Sequence, residues 1–202
     1  MSIFGPIFVG HDLEMAALET LRAWFPTYLR EVELQQGLPM GEIPSPRTYT
    51  TRNEFTSFPE DQMPICVVVS PGLAGEPHKE GNGTISGWFS LGVGVLASAA
   101  TEEDTNYLSK MYGAAIRAIM VQQGDLGGMC SGIDMLDESY DDVPDIDQTR
   151  SIRAAQWVGL AYIDHIVDRT AGPIGDPDPE TQPGSEWPEI TTGSISVKKK
   201  EA

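Results

Sequence analysis

Between Ile85 and Ser98 the chain alternates, with Ile85, Phe89, Leu91, Val93 and Val95 at odd positions and mostly small or polar residues at even ones. A period of two places the odd set on one face of a β-strand. Gly92 and Gly94 fall on the opposite face, where the missing side chain lets a neighbouring backbone or subunit approach closely. After Ala99 and Ala100 the period lengthens to three and four: Leu108, Met111, Tyr112, Ala115, Ile116, Ile119 and either Met120 or Val121 share one stripe of a helix. Thr101 reads as its N-cap, the first-turn acids Glu102, Glu103 and Asp104 complement the helix dipole, and Gly124 supplies the stop. A strand and a helix joined by so short a link should pack on each other. Each large apolar side chain buried there is worth about 1.5–3 kcal/mol, so this pair is the expected core.

The flanking segments follow the same logic. A helical pattern opens at His11-Asp12 and puts Leu13, Ala17, Leu21, Trp24, Tyr28, Leu29 and Val32 on one face, with a kink or a fresh first turn expected at Pro26. A Gly/Pro linker over 37–46 ends that helix and leads to a β-prone run at 47–51. Residues 65–69 are continuously apolar and read as a strand buried on both faces, with the 83–98 strand returning antiparallel to it after an excursion over 71–82. Beyond the loop at 124–132, a short strand over 132–137 precedes an acidic run at 137–147 that reads as a solvated loop. Ile152 to Asp168 forms a second long strand, apolar on both faces and therefore expected to be covered on both. The expected fold class is α+β: a mainly antiparallel sheet packed against two helices, in a domain over 1–171.

From Gly172 the composition shifts to Pro, Gly and acid, the signature of an extended C-terminal arm over 172–202 that builds no core of its own. Trp187, Ile190, Ile195 and Val197 are unusual in a purely solvated tail. They point to an arm that docks on something, such as another copy, with Lys198, Lys199 and Lys200 at its end; the alternative, for the isolated chain, is plain disorder.

A length of 202 residues suits one sizeable domain with extensions. The formal net charge of -17 disfavours affinity for nucleic acid or for an anionic membrane, while leaving DNA as a neighbour that must be kept from sticking. No segment approaches the roughly 20 apolar residues of a membrane span, and Met1-Ser2-Ile3-Phe4-Gly5-Pro6 lacks the basic start and apolar run of a secretory signal. Cys66 and Cys130, in apolar or Gly-rich surroundings, read as buried free thiols.

Catalytic chemistry is not visible in the pattern, and no enzyme activity, cofactor or metal is expected. His11, His78 and His165 are scattered over a helix start, a loop and a strand. Asp164 and His165 are adjacent in a strand and so point to opposite faces, which denies them the orienting bond of a hydrolytic triad. The glycines near Gly92 lie inside a strand and do not form a phosphate cradle. Asp141, Asp142, Asp145 and Asp147 are the best candidates for calcium, but they lack the twelve-residue loop with its central Gly and terminal Glu.

The order of segments carries a resemblance. Leu21-Arg22-Ala23-Trp24-Phe25-Pro26-Thr27-Tyr28-Leu29 lies in the first helix, and Pro59-Glu60-Asp61-Gln62-Met63-Pro64 leads into Val67-Val68-Val69-Ser70-Pro71-Gly72. After the long strand come Tyr112-Gly113-Ala114-Ala115-Ile116-Arg117-Ala118, then Tyr140-Asp141-Asp142-Val143-Pro144 and the closing strand. From about Asp12 to Val167 this order resembles the tail terminator proteins of long-tailed phages of actinobacteria and their prophage relatives. The resemblance implies a small α+β subunit, six copies of which close into a ring. The ring caps the tail tube, stops its polymerisation and presents a surface to the head-side connector, with genomic DNA passing through the lumen. It implies a virion protein of the tail or neck, assembled in the host cytoplasm, with no active site to carry over.

A closed ring needs a heterologous interface, for which Trp88, Gly92, Gly94, Trp187, Ile190 and Ile195 are the candidates. Six copies at -17 each would surround the channel with about -102 formal charges. Glu102, Glu103, Asp104, Asp137, Glu138, Asp141 and Asp142 are the candidate lumen acids. The rival readings are a head-to-tail stopper or adaptor ring, an acidic calcium-binding module, and a hydrolase using Asp164 and His165.

Overall fold

The protein is seen in a computed structural model that describes residues 8–51, 60–81, 83–144 and 151–168. Two helices, α1 (Gly10–Gln36) and α2 (Glu102–Gln122), accompany six strands: β1 (Thr48–Thr50), β2 (Ile65–Leu73), β3 (His78–Lys79), β4 (Thr84–Ala97), β5 (Gly132–Val143) and β6 (Ile152–Asp168). The strands form one sheet in the order β1-β2-β4-β6-β5, with β3 paired to β4. Among the described residues β1 and β2 run parallel and every other pairing is antiparallel. The fold is α+β, a mainly antiparallel sheet with two helices on it.

The β4 alternation is the spine of the core. Phe89, Leu91, Val93 and Val95 are buried, and across the pair with β6 they oppose Ala161, Gly159, Trp157 and Ala155. Register slips between Ile85 and Gly87, so the alternation lapses there and Ile85 is only half-buried. From α2 the core receives Tyr112, Ala115, Ile116, Ile119 and Met120. Met120 is the member of the stripe, because Val121 points to solvent. Thr101 caps α2 by accepting the Asp104 N–H at 3.0 Å. Glycine makes the closest approach possible where Tyr140 of β5 lies against Gly113 of α2, with no room left for a Cβ.

Helix α1 buries Leu13, Ala17, Leu18, Leu21, Phe25, Leu29 and Glu33. The stripe is thus rotated from the expected one: Phe25 is in the core, whereas Trp24 is 38% exposed and stacks edge-on with Tyr28. Pro26 lies inside a single helical element and does not divide it. Gly37, at φ 68°, ends the helix in the left-handed conformation that glycine adopts without strain. Buried Glu33 then ties down the linker, accepting the Ile43 N–H at 2.7 Å and the Gly41 N–H at 2.9 Å. Those two donors hold its carboxyl below the usual pKa. Tyr112 fastens the same linker by donating to the Pro44 carbonyl at 2.5 Å.

The acidic run differs from its expected form. A strand over 132–137 followed by a loop is replaced by one twelve-residue strand, β5, paired with β6 from Gly132 to Val143. Charge at nearly every outward position made it look like loop, yet charged side chains are what an exposed edge strand carries to discourage foreign pairing. Residues 145–147 of that run, and the arm over 172–202, lie outside the described residues.

Candidate subunit interface

Both helices sit on one side of the sheet, so the other side is defined by strand parity. On β4 the even positions Trp88, Ser90, Gly92, Gly94 and Leu96 face away from the helices; opposite them on β6 stand Tyr162, Leu160, Val158, Gln156 and Ala154. β2 adds Val67 and Val69, which pair with Gly94 and Gly92, and β5 adds Asp137, Ser139, Asp141 and Val143. Among the described residues no element covers the middle of this face. At one end it is closed by a small cluster of Met63, Ile65, Leu96 and Ile152, with Val67 and Val143 packed against it.

Beside that cluster lies a groove of about 440 Å³, floored by Gly92, Gly94 and Ala154 and walled by Val67, Val69, Pro71, Val143 and Val158. The glycines account for its depth. A Cβ on Gly94 would meet only the Ala155 carbonyl oxygen at 3.9 Å, and one on Gly92 would meet Val69 Cγ2 at 3.2 Å. Ser90 and Gln156 supply the polar groups, and Val158 is 37% exposed. Cover expected on both faces of β2 and β6 is therefore present on the helix side and lacking on this side among the described residues. Trp88 lies on the same face but is half-buried against Tyr162, with ring centroids 4.9 Å apart. Trp187, Ile190 and Ile195 are outside the described residues.

The acidic candidates divide into three groups. Glu102, Glu103 and Asp104 are exposed on the first turn of α2. Glu102 and Asp142 converge on Arg153, Asp142 Oδ1 lying 2.7 Å and Glu102 Oε1 4.0 Å from guanidinium nitrogens, while Asn106 accepts a third contact at 2.6 Å. Asp104 accepts the Thr101 hydroxyl at 2.7 Å. Glu138 faces the helices, bound by Arg117 at 2.8 and 2.9 Å and by the Tyr140 hydroxyl, so its charge is compensated and its side chain largely covered. Burial, and then Glu138, push the Tyr140 phenol up to about 12. Asp137 and Asp141 instead face the open side; Asp141 accepts from Gln156 at 3.0 Å and Ser139 at 2.9 Å. Asp141 and Asp142 thus diverge to opposite faces, and among the described residues no group of three or more His, Cys, Asp or Glu side chains is placed to hold a metal ion.

No protein-family model matches this chain, and no curated protein matches it. A solved structure of the virion of a native gene transfer agent particle contains a chain similar to this one at 13% identity and a TM-score of 0.40, covering 66% of this chain and 91% of that one. A likeness at that level carries no function from one to the other.

A second hollow, about 1080 Å³, opens between α1, the 123–129 turn and the end of β6, where Phe8, Trp24, Met129 and Ile163 meet Glu19, Asp125 and Asp164. Ser131 donates to Asp164, tying that turn to β6, and His165 adopts a left-handed φ of 59°. Cys66 and Cys130 are buried free thiols; burial raises both, Cys130 to about 11, which keeps them protonated at neutral pH.

The groove walls were visible in the sequence as apolar runs on both faces of β2 and β6. The alternation put the helix on the side of Phe89, Leu91, Val93 and Val95, where α1 and α2 both pack; the same apolar runs also implied cover on the opposite side of β2 and β6.

Proposed function

We propose that this chain is a structural subunit of a phage-type virion, a tail terminator whose copies close into a hexameric ring at the end of the tail tube. The reading joins the order of segments noted above to one observation, the apolar face around Gly92 and Gly94, which no element covers among the described residues. A contiguous apolar surface lined by small residues is the kind of patch that marks association. Met63, Ile65, Leu96 and Ile152 already give it a packed margin. In this reading the chain breaks and forms no bonds in other molecules. Its partners are sister copies, the tube protein on one side and the head-side connector on the other, and its net negative charge keeps the transiting DNA from adhering.

The test is to add the purified chain to polymerising tail-tube protein from the same virion and measure tube length by electron microscopy. Short tubes ending in a ring of this chain are expected. Tubes of unchanged length, with the chain absent from their ends, would overturn the terminator role. Binding to the connector alone would reassign the chain to a stopper or adaptor ring.

A further inference from the structure

We infer that the open sheet face is the receptor for the C-terminal segment of a neighbouring copy, with Trp187, Ile195 and Val197 seated on the apolar groove and Lys198–Lys200 on its acidic border. The inference rests on the association reading above and adds the occupant of the surface.

Two matches in chemistry support it. The groove is apolar and glycine-floored, and it is bordered on the β5 side by the carboxylates of Asp137 and Asp141, which face the same way. The segment offers the same two properties in immediate succession: Ile195 and Val197, separated by a serine, are followed directly by three lysines. Alternation of this kind suits an extended peptide laid on a sheet, with every second side chain turned toward it. Above Gly94 the space is open, since an added Cβ would meet only the Ala155 carbonyl oxygen at 3.9 Å.

The reach is sufficient. Trp187 lies nineteen Cα–Cα steps beyond Asp168, an extended span of up to roughly 65 Å. The groove lies near Gln156, twelve residues back along β6 and roughly 40 Å from its end. The span exceeds the distance back along β6 to the groove by roughly 25 Å. A tail of one copy on the face of the next is heterologous by construction, using one donor and one acceptor per chain, and so it can repeat around a closed ring.

Disulfide trapping in the full-length chain tests this. Two differently tagged versions, one Val158→Cys and one Val197→Cys, are co-expressed and oxidised; the native thiols are buried and do not compete. The expected product is a disulfide joining the two tags, reduced roughly tenfold when Lys198, Lys199 and Lys200 are all changed to Glu. Ring-sized particles without that disulfide would overturn the tail inference and leave the association reading standing. If a chain carrying both cysteines closes only within itself, its own tail fills the face and the inference fails. Monomers without any cross-link would remove both.

Discussion

Gly94 offers a substitution that should improve the subunit and damage its assembly. Its backbone is not in the left-handed region, and an added Cβ has nothing nearer than a carbonyl oxygen at 3.9 Å. A Cβ at Gly94 therefore meets no clash, and replacing this strand-interior glycine by valine recovers about 0.5–1 kcal/mol of backbone entropy, with further gain from β-propensity. For a chain of this length that is a rise in Tm of roughly 1–4 °C. The same isopropyl group would occupy the floor of the 440 Å³ groove. Anything docked there would meet an overpacked contact costing about 1–3 kcal/mol, a weakening of association of roughly 5- to 150-fold. Urea denaturation reads the first effect and light scattering over a dilution series reads the second. If the variant assembles as wild type does while keeping its gain in stability, the groove is not where copies meet.

Phe25→Ala should lose about 3–5 kcal/mol, whereas Trp24→Ala should lose less than about 1.5, since Trp24 gives up chiefly its edge contact with Tyr28; equal losses in chemical denaturation would contradict the rotation of α1. Ionised Glu33, held below its ordinary pKa by the Gly41 and Ile43 amides, contributes stability that is present above the unfolded carboxyl value near 4.5 and is lost as pH falls through the lower folded value. Glu33→Gln should accordingly flatten the decline of Tm between pH 5 and about pH 3, and parallel curves for the two proteins would refute the assignment. Glu138→Gln removes the negative charge that, after burial, helps hold the proton on Tyr140, so ultraviolet titration should find that phenol ionising at lower pH in the variant than with Glu138 in place. An unchanged titration would place Tyr140 away from Glu138.

Much of the architecture was legible because periodicity is a local property. The strand-to-helix switch at Thr101, the antiparallel return of β4 on β2 and the stripe on α2 all follow from spacing within a few residues. The face of α1 was not resolved to the residue, since Trp24 and Phe25 are adjacent and only packing against Tyr49 and Tyr112 decides which turns inward. β5 was shortened for a related reason. Asp137, Glu138, Asp141 and Asp142 are poor strand formers, but backbone pairing with β6 and the Arg117 and Arg153 contacts, which come from elsewhere in the chain, offset their cost. The candidate interface was half legible: Gly92 and Gly94 were assigned to the far face by parity, while the valines of β2 and β6 around them were attributed to a covered strand.

The most direct measurement is the mass of the full-length chain in solution, by light scattering across a hundredfold range of concentration. The account predicts particles of six 21.9 kDa chains that persist on dilution. A mass of one chain at every concentration would contradict it.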